Sequence, residues 1–135
     1  TPVYHVFAMY APHQGATALR TIASAPPLRW TDERQHEQTL WGLNGSASRR
    51  DGTVTLTVTN PHPDEPRDTE IAVRGAAVRS VTATTLAGRD IHDHNTFENP
   101  DAVVPAVEAA RAASSPFTYR FPPASVTRLS LELGS

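Results

Sequence analysis

Valine and leucine alternate with threonine through TVTLTVTN (53–60), placing Val54, Leu56 and Val58 on one side of an extended chain and threonines on the other. A period of two predicts a half-buried strand with strong β-formers on its open side, and Asn60-Pro61 stops it. SVTRLSLEL (125–133) repeats the pattern, with Leu129, Leu131 and Leu133 facing one way and Arg128, Ser130 and Glu132 the other. Weaker runs at 16–24, 40–48, 68–75, 79–88 and 116–121, each bounded by Gly, Pro, Asp or Asn, bring the predicted strands to about seven. SRRDG (48–52) predicts a hairpin, because Asp51-Gly52 accepts the positive φ of a tight turn.

The chain starts differently. Val3, Val6, Phe7 and Tyr10 recur at helical spacing behind Thr1-Pro2, which suit an N-cap and a first helical position. Pro12 and Gly15 end this helix within about three turns, too few for stability without a surface to pack on. Residues 25–39 and 89–115 read as long irregular stretches, and VEAARAASS (107–115) as a mobile run or a weak helical turn. Many short strands without interleaved helices predict an all-β fold, an antiparallel, jelly-roll-like β-sandwich carrying one short N-terminal helix.

Composition narrows the function classes. A chain of 135 residues fits one domain, and its net charge of -2 gives no reason to expect nucleic acid or an anionic membrane as a partner. All 12 basic residues are arginine, which reads as composition bias and not as a phosphate-binding surface. Without cysteine there are no disulfides, thiolate nucleophiles or cysteine zinc sites. No apolar run reaches the roughly 18 residues that span a bilayer as a helix. Thr1-Pro2 without an initiator methionine points to a processed chain or a piece of a longer one.

The densest stretch is IHDHNTFENPDAVVP (91–105). His92 and His94, with Asp93, Glu98 or Asp101, offer nitrogen and oxygen ligands, but two histidines one residue apart without a third ligand at a recognisable distance do not define a metal site. The reading preferred is a structural loop without metal, formed by His94, Asn95, Thr96, Phe97, Asn99, Pro100, Val104 and Pro105. In it Asn and Asp cap turns, the prolines fix φ, and Phe97, Val103 and Val104 dip into a core edge. Carboxylates of a glycosidase stand roughly 5 to 10 Å apart in space, which the closeness of these acids in sequence does not establish. No Gly-x-Ser-x-Gly elbow is present, and the sequon Asn44-Gly45-Ser46 has meaning only in a secreted eukaryotic protein. Trp30 and Trp41 are candidate sugar contacts, with Tyr119 completing a stacking platform; the competing and preferred reading packs them in the core.

TPVYHVFAMYAPHQGA (1–16), SASRRDGTVTLTVTNPHP (46–63), HNTFENPDAVVP (94–105) and the closing PPASVTRLSLEL (122–133) together resemble the C-terminal part of α-L-arabinofuranosidases of glycoside hydrolase family 51, in order and over nearly the whole chain. The resemblance implies that residues 1–15 are the terminal helix of a catalytic (β/α)8 barrel and 16–135 a C-terminal sandwich. It implies a bacterial, cytoplasmic parent enzyme, a homo-oligomer without cofactor, that removes terminal arabinofuranosyl residues from arabinan, arabinoxylan or their oligosaccharides with retention. None of the residues here matches the family's two catalytic glutamates, so the segment alone is expected to be inactive, with the barrel as its partner and a role in stability and assembly. The helix, parted from that barrel, is expected to leave apolar surface open, so that the chain either self-associates or is one part of a cleaved assembly. Two rival readings remain: a carbohydrate-binding module using Trp30 and Trp41, and a metal-dependent protein using His92 and His94.

Overall fold

The computed structural model describes residues 2–21, 28–31, 34–35, 37–40, 43–87, 103 and 105–134. Helix α1 (Pro2–Tyr10) runs into a 3-10 turn (Ala11–His13), followed by β1 (Thr17–Leu19), β2 (Leu28–Thr31), β3 (Glu37–Leu40), β4 (Asn44–Arg50), β5 (Thr53–Asn60), β6 (Arg67–Ile71), β7 (Val78–Ala87), β8 (Ala106–Val107), β9 (Arg111–Ala112), β10 (Phe117–Phe121) and β11 (Ser125–Leu133). All seven predicted strands are present. The main sheet is seven-stranded, in the order β1-β4-β5-β11-β7-β8 with β9 also on β7; β10-β6 and β2-β3 form separate two-stranded sheets. Every pairing is antiparallel.

Between Arg50 and Thr53, which pair directly, the chain reverses through Asp51-Gly52, and Asp51 takes the positive φ, at 53°. The last strand, β11, inserts between β5 and β7, aligning Leu131 with Val54 and Val81, and Leu129 with Leu56 and Ala83. Alternation then gives the sheet two unlike faces. One is the apolar face, where Val54, Val58, Val81, Ala83, Leu129 and Leu131 are buried beneath Ile71, Tyr119 and Phe121 of the β6-β10 ribbon. The rings of Tyr119 and Phe121 lie 5.0 Å apart. This is the second layer of the sandwich, held to the first by side chains, since among the described residues no strand ladder joins the two sheets.

The other face carries hydroxyls: Ser48, Thr55, Thr57 and Thr84 are all buried there, although the threonine side of β5 reads from sequence as open. Helix α1 lies over part of it, with Met9, Leu86 and Val103 forming a second small core flanked by Val6, Tyr10 and Val126. The helix is rotated from the expected stripe, since Phe7 is 74% exposed and Tyr4 67%. The cause is legible in its composition: PVYHVFAMY has no charged residue to mark a solvent side, so local pattern does not set its facing. The sheet takes the side carrying Met9, whose flexible thioether chain fills the space beside Leu86 and Val126.

Two expectations need correction. The stretch 25–39, read as irregular, contains the β2-β3 pair, and 107–115 contributes to β8 and β9 and not to a helical turn. Alanine favours helix only when nothing competes; here the open edge of β7 offers hydrogen-bonding partners to Val107 opposite Thr84 and to Arg111 opposite Val81.

One buried group on the apolar side lacks a partner. The Thr127 hydroxyl is fully buried and makes no hydrogen bond. Desolvating a hydroxyl without a bond costs about 1–3 kcal/mol, so Thr127→Val, nearly the same shape, is expected to stabilise the fold by about 1 kcal/mol in urea unfolding. A loss of stability would mean that the hydroxyl is satisfied in solution.

Candidate functional site

Four long-range polar contacts gather where α1 and the turn after it meet the sheet. Helix C-termini leave carbonyls without intrahelical partners and carry a partial negative charge. Two arginines from the sheet answer both needs. The Arg128 Nη1 of β11 donates to the Met9 carbonyl at 3.3 Å, and the Arg50 Nη2 of β4 donates to the Gln14 carbonyl. Gly15 turns the chain with a φ of 72°, a backbone conformation that favours glycine.

His13 lies between these arginine contacts. Its Nδ1 is 2.6 Å from Ser48 Oγ and its Nε2 3.0 Å from Thr57 Oγ1, and its ring meets that of Tyr10 edge-on at 5.8 Å. Burial lowers the pKa of the imidazole from its ordinary value. Sequence reasoning passed over His13, because its two partners lie 35 and 44 residues away and only the sheet brings them beneath the turn. A histidine after a helix, followed by a serine- and threonine-bearing strand pair, was the available signal.

Asp68, Thr118, Tyr119 and Arg120 of the β6-β10 ribbon line a shallow groove with Glu108 and Arg111. Arg120 holds Asp68 through Nε–Oδ1 at 2.8 Å and Nη2–Oδ2 at 3.2 Å, and this hydrogen-bonded pair keeps the Asp68 carboxyl below its usual pKa. A carboxylate clamped in its ionised form is the opposite of a general acid. Arg111 covers the Tyr119 ring at 5.8 Å, and Tyr119 is buried, so that ring offers no wet face for a sugar.

Among the residues expected to form the structural loop, only Pro105 is described, half-buried, next to the fully packed Val103. His94, Asn95, Thr96, Phe97, Asn99, Pro100 and Val104 lie outside the described residues, as do His92, Asp93, Glu98, Asp101 and Trp41. Trp30 stands in β2 opposite Gln38, with its side chain outside the description. Among the described residues no group of three His, Cys, Asp or Glu is placed to hold a metal ion.

The comparisons agree with one another. The family model of the α-L-arabinofuranosidase C-terminal domain matches residues 1–125. An intracellular exo-α-L-arabinofuranosidase of Bacteroides ovatus is 27% identical over 134 residues, 98% of this chain but 25% of that protein. The crystal structure of the family 51 arabinofuranosidase from Xanthomonas axonopodis pv. citri superposes with a TM-score of 0.85 at 31% identity, over 97% of this chain and 26% of its own. The α-L-arabinofuranosidase of Thermotoga maritima shares the fold with a TM-score of 0.83 at 24% identity, over 98% and 29%. The chain thus spans about a quarter of the length of the relatives it matches. Matched through residues 1–125 and superposed over helix and sheets alike, this chain belongs to the α-L-arabinofuranosidase C-terminal domain family.

Proposed function

We propose that the chain is the non-catalytic C-terminal domain of a retaining α-L-arabinofuranosidase, which it stabilises and helps to assemble. Residues 1–15 end a catalytic (β/α)8 barrel and residues 16–135 form the accessory sandwich. The observation that carries this reading is α1: one side is fixed to the sheet through Met9 and the arginine contacts, while Tyr4 and Phe7 stand open on another. Exposed aromatic rings three residues apart on a helix form one apolar strip, which fits the inside of a barrel's helical layer. The greater length of the relatives, about four times that of this chain, supports this reading.

In this arrangement the acid/base and nucleophile carboxylates, about 5 Å apart in a retaining enzyme, belong to the barrel. The sandwich contributes packing, and the enzyme acts on arabinose-containing polysaccharide or oligosaccharide as a homo-oligomer in the bacterial cytoplasm. The last point is supported by the intracellular relative. Among the described residues no helix is long and apolar enough to cross a membrane.

The test compares this chain with the longer protein on a chromogenic arabinofuranoside. The 135-residue chain is expected to show no turnover and the longer protein to hydrolyse the substrate. Tyr4→Ser with Phe7→Ser should leave the isolated chain's stability almost unchanged, because both rings are already exposed, yet cost the longer protein about 3 kcal/mol or more. Turnover by the isolated chain, or equal effects of the double substitution in both proteins, would overturn the reading.

A further inference from the structure

We propose that His13 is a neutral-imidazole latch, holding the end of α1 to the hydroxyl face of the sheet and releasing it when the ring is protonated. Hydrogen-bond geometry fixes the tautomer of the neutral docked ring. Thr57 Oγ1 donates its proton to the Ser46 carbonyl at 3.3 Å, so it accepts from His13 Nε2–H at 3.0 Å. Nδ1 is then the bare nitrogen and accepts from Ser48 Oγ–H at 2.6 Å. A neutral ring satisfies both contacts, on a site where Ser48 is 5% exposed and Thr57 fully buried.

Arg50 and Arg128 already answer the partial negative charge at the helix end, so little of it is left to compensate a second proton on the ring. The ring faces Tyr10 from α1, Ser48 from β4 and Thr57 from β5. The charged groups flanking the joint are Arg50 from β4 and Arg128 from β11, both cationic and both bonded to carbonyls of the same segment. No carboxylate is hydrogen-bonded or ion-paired to the ring among the described residues. A charged imidazole here loses hydration without gaining a counter-ion, which is the balance that makes histidine a switch near neutrality.

The direction follows from linkage. Burial holds the docked pKa below the ordinary 6.5, so the docked state binds fewer protons than the released one. The contribution of the latch is complete above pH 6.5, declines as pH falls below that value, and is gone once pH has passed through the docked pKa. Between the two pKa values, uptake of one proton raises the opening constant by up to about tenfold per pH unit. Under the function proposed above, this loosens the joint between barrel and sandwich in acid; the latch itself does not depend on that reading.

The experiment is amide hydrogen exchange of the chain between pH 7.5 and 5, corrected for the intrinsic pH dependence of exchange. Amides of residues 6–10 should show opening that rises up to about tenfold per pH unit below neutrality, while amides of β11 should not. His13→Gln supplies an uncharged donor and acceptor, and should flatten that rise. Flat opening in the wild-type chain, or an unchanged slope in His13→Gln, overturns the proposal. Should the variant fail to fold, titration of the wild-type ring by NMR decides: a His13 pKa below 6.5 supports the latch and one at or above it refutes it. No activity enters these readouts, so failure of the latch and failure of the enzyme assignment are separable.

Discussion

Asn60→Asp is expected to cost about 3–5 kcal/mol at pH 7, although it exchanges an amide for an isostere. Asn60 is fully buried at the end of β5. Its Nδ2, with two hydrogens, reaches the carbonyls of Glu65 at 3.0 Å, Phe121 at 3.2 Å and Pro122 at 3.0 Å, one N–H being shared, and its Oδ1 accepts from the His62 amide at 3.1 Å. One side chain therefore ties the strand end to the 61–66 turn and to the passage from β10 to β11. Aspartate would turn an ionised oxygen toward three carbonyl oxygens in a site without water access. Burial raises the pKa of such a carboxyl, so the penalty grows as pH rises above the unfolded value of about 3.9 and eases in acid, where a protonated carboxyl can donate again. Asn60→Ala brings no charge and should cost less, about 1–3 kcal/mol. Urea unfolding at pH 7 and pH 4.5 tests the pair. Equal stability of Asn60→Asp and the wild type would show that the amide is not a brace.

The second large effect is expected at Phe121, which is 1% exposed beneath the main sheet. Phe121→Ala removes the largest fully buried side chain among the described residues and its contact with Tyr119, and should cost about 3–5 kcal/mol. The manner of the loss is more informative than its size. Because the β6-β10 ribbon shares no strand ladder with the main sheet among the described residues, side-chain burial and the Asn60 bonds hold it down. Amides of β6 and β10 should therefore exchange much faster in the variant than those of β5 and β11, by local opening. Uniform acceleration across both sheets would instead mean that the two layers unfold as one unit. Since Phe121 supplies a carbonyl to Asn60, the combined variant Asn60→Ala, Phe121→Ala should be less destabilised than the sum of its parts.

The same residues mark how far the sequence could be read. Strands β5 and β11 and the turn at Asp51-Gly52 were legible because their causes are local: an alternation of two and a residue pair that tolerates positive φ. Asn60 was legible as a strand stop but not as a brace, since Phe121 and Pro122 lie 61 and 62 residues further along. The accessory character of the domain was legible through resemblance carried by ordered motifs, and the match over residues 1–125 agrees with it. His13 stayed unseen for the same reason as the brace at Asn60.

The sequence by itself determined which segments alternate, where the chain must turn, and that so short a helix needs a surface to pack on. Tertiary structure decided which side of α1 the sheet takes, that β11 lies between β5 and β7, that the threonine side of β5 is buried, and that an alanine-rich run becomes strand on the edge of β7. The physical reason is range. Backbone preference and amphipathic period act over a few residues, whereas facing, strand order and the partners of a buried polar group depend on which distant surfaces meet and on what each loses when water is removed.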